Sequence, residues 1–223
     1  MTAAALEPSL QNLPALVPMA GLQISTGEQL TQAAPDMNWH DCQPDDLALM
    51  LLTSGSTGTP KAVMHSHRSL VAHCAADLAH TQFSRDDISL NWFPLDHVGG
   101  IVMFHLRDLY AGTHQLHAAT QDVLQIPLRW IDWIHQYRVT STWAPSFAFG
   151  LINQQTQAIE GRRWELSCLK FILNGGESIV AATARRFLER LQPYGLAQEV
   201  MHPAWGMSET SSVASYSDCF SLR

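Results

Sequence analysis

A chain of 223 residues is long enough for one large domain or one and a half ordinary ones, at about 150 residues each, and can bury about 70% of its unfolded surface. With 46% hydrophobic and only 15% charged residues, it is neither an intrinsically disordered chain nor a coiled coil. Lys+Arg 13 against Asp+Glu 20, a net charge of -7, excludes a protein whose main partner is a nucleic-acid backbone, because phosphate binding needs a positive footprint.

The charge is unevenly placed. Glu7, Glu28, Asp36, Asp41, Asp45 and Asp46 all precede the first cation, Lys61. Cys42, Cys74, Cys168 and Cys219 are far apart and form no C-x-x-C pair, so reduced thiols are expected rather than a zinc ribbon. The N-terminus has no basic region and carries Glu7, Pro8 and Pro14, unlike a secretory signal. The apolar runs around Leu47 to Leu52 and Ile101 to Leu106 are too short to span a bilayer. These features lead to the expectation of a soluble, cytoplasmic protein without nucleic-acid or membrane partners.

Residues 1–45 are rich in Pro and lack periodicity, which predicts an irregular segment or linker. From residue 46 the pattern becomes regular. Leu47 to Leu52 is a continuous apolar run of the kind expected for a strand buried on both faces. Lys61 to Ser66 predicts a second strand, and Ser69 to His80 a helix with Leu70, Val71, Cys74 and Leu78 at helical spacing. A short strand at Ile88 to Phe93 precedes a helix over Gly100 to Tyr110, which Gly112 closes. Asp122 to Tyr137 predicts one long helix, Val139 to Trp143 a strand, and Pro145 the opening of another helix. Leu169 to Leu173 is strand-like, Ser178 is placed to cap a helix running to Leu191, and Glu199 to His202 is the last strand candidate. Alternating strands and helices imply right-handed crossovers: an α/β fold with a mostly parallel sheet and helices on both faces. Ligands of such sheets bind beyond the carboxyl ends of the strands, so the segments that follow the strands are where chemistry is sought.

The segment after the first strand is Thr53-Ser54-Gly55-Ser56-Thr57-Gly58-Thr59-Pro60-Lys61. It combines hydroxyls, two glycines that can turn amides toward an anion, and one ammonium, which together suit a polyphosphate. It does not fit the nucleotide loop G-x-x-x-x-G-K-[ST]. Counting from Gly55, Pro60 stands at the second glycine and Ala62 at the metal-binding hydroxyl, and Ala62 to Met64 is extended rather than helical in character. A strand–loop–strand is therefore expected, with no helix starting at Lys61.

This nine-residue string, with Ser66-His67-Arg68 behind it, resembles the phosphate loop of the adenylate-forming superfamily, which includes acyl-CoA synthetases, luciferases, fatty-acyl-AMP ligases and nonribosomal peptide adenylation domains. Ala62 replaces the usual Gly after the Lys. Two further segments are similar to family motifs. Asn174-Gly175-Gly176-Glu177 resembles the loop lining one face of adenine. Trp205-Gly206-Met207-Ser208-Glu209-Thr210 resembles the segment whose aromatic stacks on adenine, whose Glu reaches the magnesium and phosphate region, and whose Thr contacts the α-phosphate. Trp205 stands where Tyr is commoner. Phe93 to Gly100 resembles the segment that gates the acyl pocket, which gives His97, Val98 and Gly99 to the substrate.

The resemblance implies ATP and Mg2+ as cofactors, with Lys61, Thr57 and Glu209 catalytic and Thr57 and Glu209 near the metal. It also implies a carboxylic acid substrate activated as an acyl-adenylate, a phosphopantetheine or CoA thiol as acceptor, and the remainder of an adenylation module as partner, within a polyketide or nonribosomal peptide assembly line. In amino-acid-activating members an Asp near His97 holds the α-ammonium. Here His97 takes that place and an apolar run follows, so an acid without an α-amine is expected, with Asp96 the competing anchor one residue earlier. The resemblance covers residues 46–223 as a partial AMP-binding core. The family's ribose-binding Asp and C-terminal catalytic Lys have no counterpart, so the chain is expected to be incomplete and inactive alone. The alternative is an inactive nucleotide-binding fragment or a scaffold piece.

Overall fold

The sequence folds, in a computed structural model, into two separate sheets. The structure describes residues 40–53, 61–218 and 220, together with residues 32, 34, 35, 37 and 38. The chain divides into two compact units, Met1–Asp41 and Cys42–Arg223, and among the described residues the strands lie in the second. The first sheet is an antiparallel ribbon of β1 (Leu47–Thr53) and β2 (Lys61–Ser66). Then come α1 (His67–Thr81), β3 (Ile88–Asn91), a π-helix over Gly99–Leu106, α2 (Arg107–Ala111) and β4 (His114–His117). They are followed by α3 (Thr120–Gln125), α4 (Leu128–Tyr137), β5 (Ser141–Ala144), α5 (Ser146–Gln154) and α6 (Thr156–Ile159). The last elements are β6 (Phe171–Asn174), α7 (Ala181–Leu191), β7 (Met201–Met207) and β8 (Ser212–Tyr216).

The second sheet has the order β4-β3-β5-β6-β7-β8. Pairing is parallel from β4 to β7, and β8 runs antiparallel to β7. Strand alternation distributes the side chains to two cores. Ala144 and Ile172 face a large cluster with Trp130, Ile134, Phe149, Ile152 and Phe187 from α4, α5 and α7. Trp143, Phe171 and Leu173 face the opposite way and pack on Met103 and Phe104 of the π-helix. The sheet is thus covered on both faces, as α/β patterning requires.

Three local expectations are corrected. β1 is not buried on both faces: it pairs only with β2, so Leu51 is buried while Leu47, Met50 and Leu52 are exposed. A continuous apolar run does not by itself place a strand in the parallel sheet. The predicted helix from Asp122 to Tyr137 is two helices, because Pro127 supplies no amide and Ile126 adopts a non-helical φ of -134. Ser178 does not cap the helix that reaches Leu191, which begins at Ala181 behind an extended Val180. The Val180 N–H is instead satisfied by Ser146 Oγ at 3.1 Å, a contact between segments distant in sequence.

A buried ionic cluster joins α1, α2, β3 and β8. The Arg107 guanidinium, 1% exposed, donates to Asp108 at 2.7 and 2.8 Å and lies 3.6 Å from Asp77. Ser89 donates to Asp108, and the Tyr216 hydroxyl donates to Asp77. The rings of Phe83 and Phe104 lie 4.9 and 4.7 Å from the guanidinium carbon. Among the described residues, no helix is long and apolar enough to cross a membrane.

Candidate active site

A cavity of about 560 Å³ opens beyond the carboxyl ends of β5, β6 and β7, a volume within the range of small-molecule sites. The ribbon contributes Thr53 and Lys61, which are register partners with Thr53 Oγ1 3.5 Å from the Lys61 carbonyl oxygen. The ends of the hydroxyl-rich loop are therefore held side by side, and β2 starts at Lys61 without a helix, as the sequence predicts. Ser54, Gly55, Ser56, Thr57, Gly58 and Thr59 lie outside the described residues.

The other walls come from distant segments. His97, Val98 and Gly99 enter at the start of the π-helix, a rare geometry often met at functional sites. Gly175 and Gly176 follow β6, while Gly206 and Met207 end β7 and Ser208 and Glu209 stand in the turn after it. Eleven of the residues singled out from the sequence thus share one cavity. Trp205, Glu177 and Thr210 do not line it. Trp205 is 60% exposed. Glu177 accepts the Phe147 N–H at 2.7 Å and lines a smaller neighbouring cavity that shares His97, Trp143 and Gly176. The Thr210 hydroxyl accepts the Met207 N–H at 3.1 Å, tying down the short turn that carries Glu209.

The Glu209 segment has a specialised backbone. The β7–β8 register shifts at Trp205/Gly206, a bulge that re-aims the chain beside the cavity. Ser211 and Ser212 have φ of 59 and 108, conformations that cost non-glycine residues free energy and cluster at functional sites. Ser211 Oγ lies 3.1 Å from Nδ1 of the buried His65 on β2, which joins this turn to the strand that carries Lys61.

Trp143, Leu173, Ala204, Ser212 and Val213 also line the cavity, and no motif points to them. For Trp143 and Leu173 the signal lay in the topology: both stand near the carboxyl ends of parallel strands. The His97 ring stacks on Trp143 with centroids 5.9 Å apart and planes 23° apart. Burial against this wall lowers the His97 pKa below the ordinary imidazole value of 6.5, and Asp96 pulls it back up by less. Its Nδ1 accepts the Gly99 N–H at 3.1 Å, so the neutral ring carries its proton on Nε2.

The donor set is hard oxygen and one ammonium. Among the described residues no group of three His, Cys, Asp or Glu side chains forms a metal cluster. Glu209 is the carboxylate in the cavity wall, and one carboxylate shared with substrate phosphates is a usual way of holding Mg2+.

Comparison with known proteins agrees with this arrangement. A model of "AMP-binding enzyme" matches residues 3–222. The chain belongs to the AMP-binding enzyme family. It is 38% identical over 184 residues to the nonribosomal peptide synthetase btyA of Aspergillus terreus, covering 81% of this chain and 20% of that protein. It is 34% identical over 209 residues to the atromentin synthetase invA5 of Paxillus involutus, covering 89% and 22%. Among solved structures, the adenylation domain of a keto acid-selecting module bound to keto acyl adenylate matches with a TM-score of 0.89 and 43% identity, covering 98% of this chain and 40% of that one. The chain is therefore part of the large domain of an adenylate-forming enzyme and spans about a fifth of the length of its fungal relatives.

Proposed function

We propose that the cavity binds ATP with a carboxylic acid that lacks an α-amine, an α-keto acid being the best fit, and joins them as an acyl-adenylate. The acid's carboxylate oxygen attacks the α-phosphorus and pyrophosphate leaves. A phosphopantetheine or CoA thiol then attacks the acyl carbon, and AMP leaves. The partners are a carrier protein or CoA and the rest of the module. Within this scheme Lys61 and the hydroxyls from Thr53 to Thr59 hold the phosphates, while Gly175 and Gly176 let a flat base approach the backbone. Glu209, with Thr57, would hold Mg2+, which when bound would supply positive charge against the phosphates. This is stabilisation by fixed charges and dipoles rather than by covalent chemistry.

One observation supports the choice of acid. The wall formed by His97, Val98, Gly99, Trp143 and Leu173 contains no carboxylate, and Asp96 does not line the cavity. An ammonium against that wall would meet no carboxylate among those five side chains, Glu209 being assigned to the metal and phosphates and Glu177 lining the neighbouring cavity, whereas a neutral keto group needs only a hydrogen-bond donor. His97 Nε2–H is such a donor. The resemblance to a keto acid-selecting domain supports the same reading. The test is ATP–pyrophosphate exchange by the intact protein, with α-keto acids set against the matching amino acids. Faster exchange with the keto acids is expected, and preference for the amino acids overturns the proposal.

A further inference from the structure

We propose that Asn91 is a positioning residue: it holds the Trp143 indole as a fixed wall of the acid pocket and so sets which acids fit. This rests on the reading that the cavity accepts a carboxylic acid.

Asn91 ends β3 and is 1% exposed. Its four hydrogen-bonding positions have partners. Oδ1 accepts the Trp143 Nε1–H at 3.1 Å and the Phe93 N–H at 3.1 Å. Nδ2 donates to the Phe93 carbonyl oxygen at 3.0 Å and lies 3.3 Å from His117 Nδ1. The amide orientation follows from these partners, since indole and backbone N–H groups can only donate and therefore face the oxygen. His117 Nε2 lies 2.9 Å from Gln115 Oε1, so the ring donates there and accepts from Asn91.

The other edge of the indole faces the cavity. A Cβ built on Gly99 would stand 2.6 Å from the Trp143 Cη2 atom, and one built on Gly176 would stand 3.5 Å from Cζ3. Trp143 stacks with Phe104 at 6.1 Å and His97 at 5.9 Å, and Phe93 lies tilted against it at 4.1 Å. These contacts fix the plane of the ring more than its direction, because χ2 of an aromatic side chain is broad and roughly two-fold. The Nε1–H···Oδ1 bond removes that degeneracy, since a flipped indole would bury an unpaired N–H. Asn91 also clamps both backbone groups of Phe93, the residue that opens the segment leading to His97. These backbone bonds hold the Asn91 amide itself in place, so one buried amide sets the indole wall of the pocket without touching the substrate.

The experiment is a double-mutant cycle in the intact protein, read by pyrophosphate exchange with the best α-keto acid. Asn91→Leu should raise the KM for the acid about tenfold, the weight of one lost hydrogen bond, with the KM for ATP unchanged. Trp143→Phe removes the N–H, so adding Asn91→Leu in that background should change the acid KM less than about twofold. Where the Leu variant does not accumulate as folded protein, Asn91→Ala takes its place in the same cycle. An equal rise in both KM values, or effects that multiply across the two backgrounds, overturns the proposal. A wild-type protein that exchanges with no carboxylic acid removes the functional reading and this inference together. Wild-type exchange with a multiplicative cycle removes this inference alone.

Discussion

Gly206→Ala tests whether the bulge between β7 and β8 shapes the nucleotide side of the site. A Cβ added at Gly206 would lie 1.8 Å from the Ser212 carbonyl oxygen and 2.6 Å from Val213 Cα. Those are backbone atoms, so no rotamer change can relieve the overlap. β8 has to separate from β7 at the Gly206/Val213 and Met207/Ser212 pairs. Overpacking costs roughly 1–3 kcal/mol, and each ladder hydrogen bond lost adds about 1 kcal/mol. A loss of about 3 kcal/mol corresponds to a fall in Tm of about 6–12 °C for a domain of this size. Met207, Ser208 and Glu209 follow immediately, so the KM for ATP should rise while the KM for the acid changes less. Calorimetry and exchange kinetics on the intact protein measure both effects. An unchanged Tm together with an unchanged KM for ATP refutes the reasoning.

Four further outcomes are expected. Gly99→Ala presses a methyl on the Trp143 edge at 2.6 Å, so acid KM should rise at least several-fold with ATP KM intact; exchange kinetics with both substrates checks it. His97→Asp places an anion near the substrate carboxylate and should weaken activation of the native acid, as measured by kcat/KM. Arg107→Met leaves Asp77 and Asp108 buried without their cation and should destabilise by about 3–5 kcal/mol, read as the shift of the denaturation midpoint. Burial lowers the pKa of His73, His97, His117 and His202 below 6.5, so in that window the unfolded chain binds more protons than the folded one. Stability should be full above pH 6.5 and fall as pH drops toward the depressed values, which urea titrations at several pH values would show.

The alternation of elements was legible where a short apolar strand precedes an amphipathic helix, as Phe171–Asn174 precedes α7, whereas the polar, partly exposed β4 (His114–His117) gave no such signal. Position within the sheet was not. Leu47 to Leu52 is as apolar as any strand in the chain, yet its partner is the ribbon strand β2, and half of it faces outward. Composition reports burial averaged over a run, while burial in the fold depends on neighbours that only topology supplies. The break at Pro127 was written locally and competed with an unbroken apolar stripe of Val123, Ile126, Trp130 and Ile134. The true arrangement keeps Val123, Trp130 and Ile134 on one core, while Ile126 turns out to solvent where the backbone bends between α3 and α4. The start of α7 could not be read locally, because the group that satisfies Val180 is the Ser146 hydroxyl on α5.

The site was legible to the extent that its groups sit together in short loops. Lys61, Gly175, Gly176 and Glu209 each stand in a string whose chemistry points to phosphate or a flat base, and the fold brings all four to one cavity. The side proposed to take the acid is different, because its lining comes from single residues on separate elements. Trp143 is a strand residue like many others until β5 ends at the cavity, and Asn91 gains a role only because β3 lies beside β5. The same geometry bears on the rivalry between Asp96 and His97. They are adjacent, and sequence spacing alone favours neither. In the fold the His97 ring stacks on Trp143 and lines the cavity, while Asp96 does not line it. A carboxylate on the solvent side is screened by water and cannot anchor an ammonium in the pocket, whereas a neutral imidazole on the inner side can offer one hydrogen bond to a carbonyl oxygen. Within the proposed function, which of two neighbouring residues lines the cavity carries the difference between an amino-acid pocket and a keto-acid pocket.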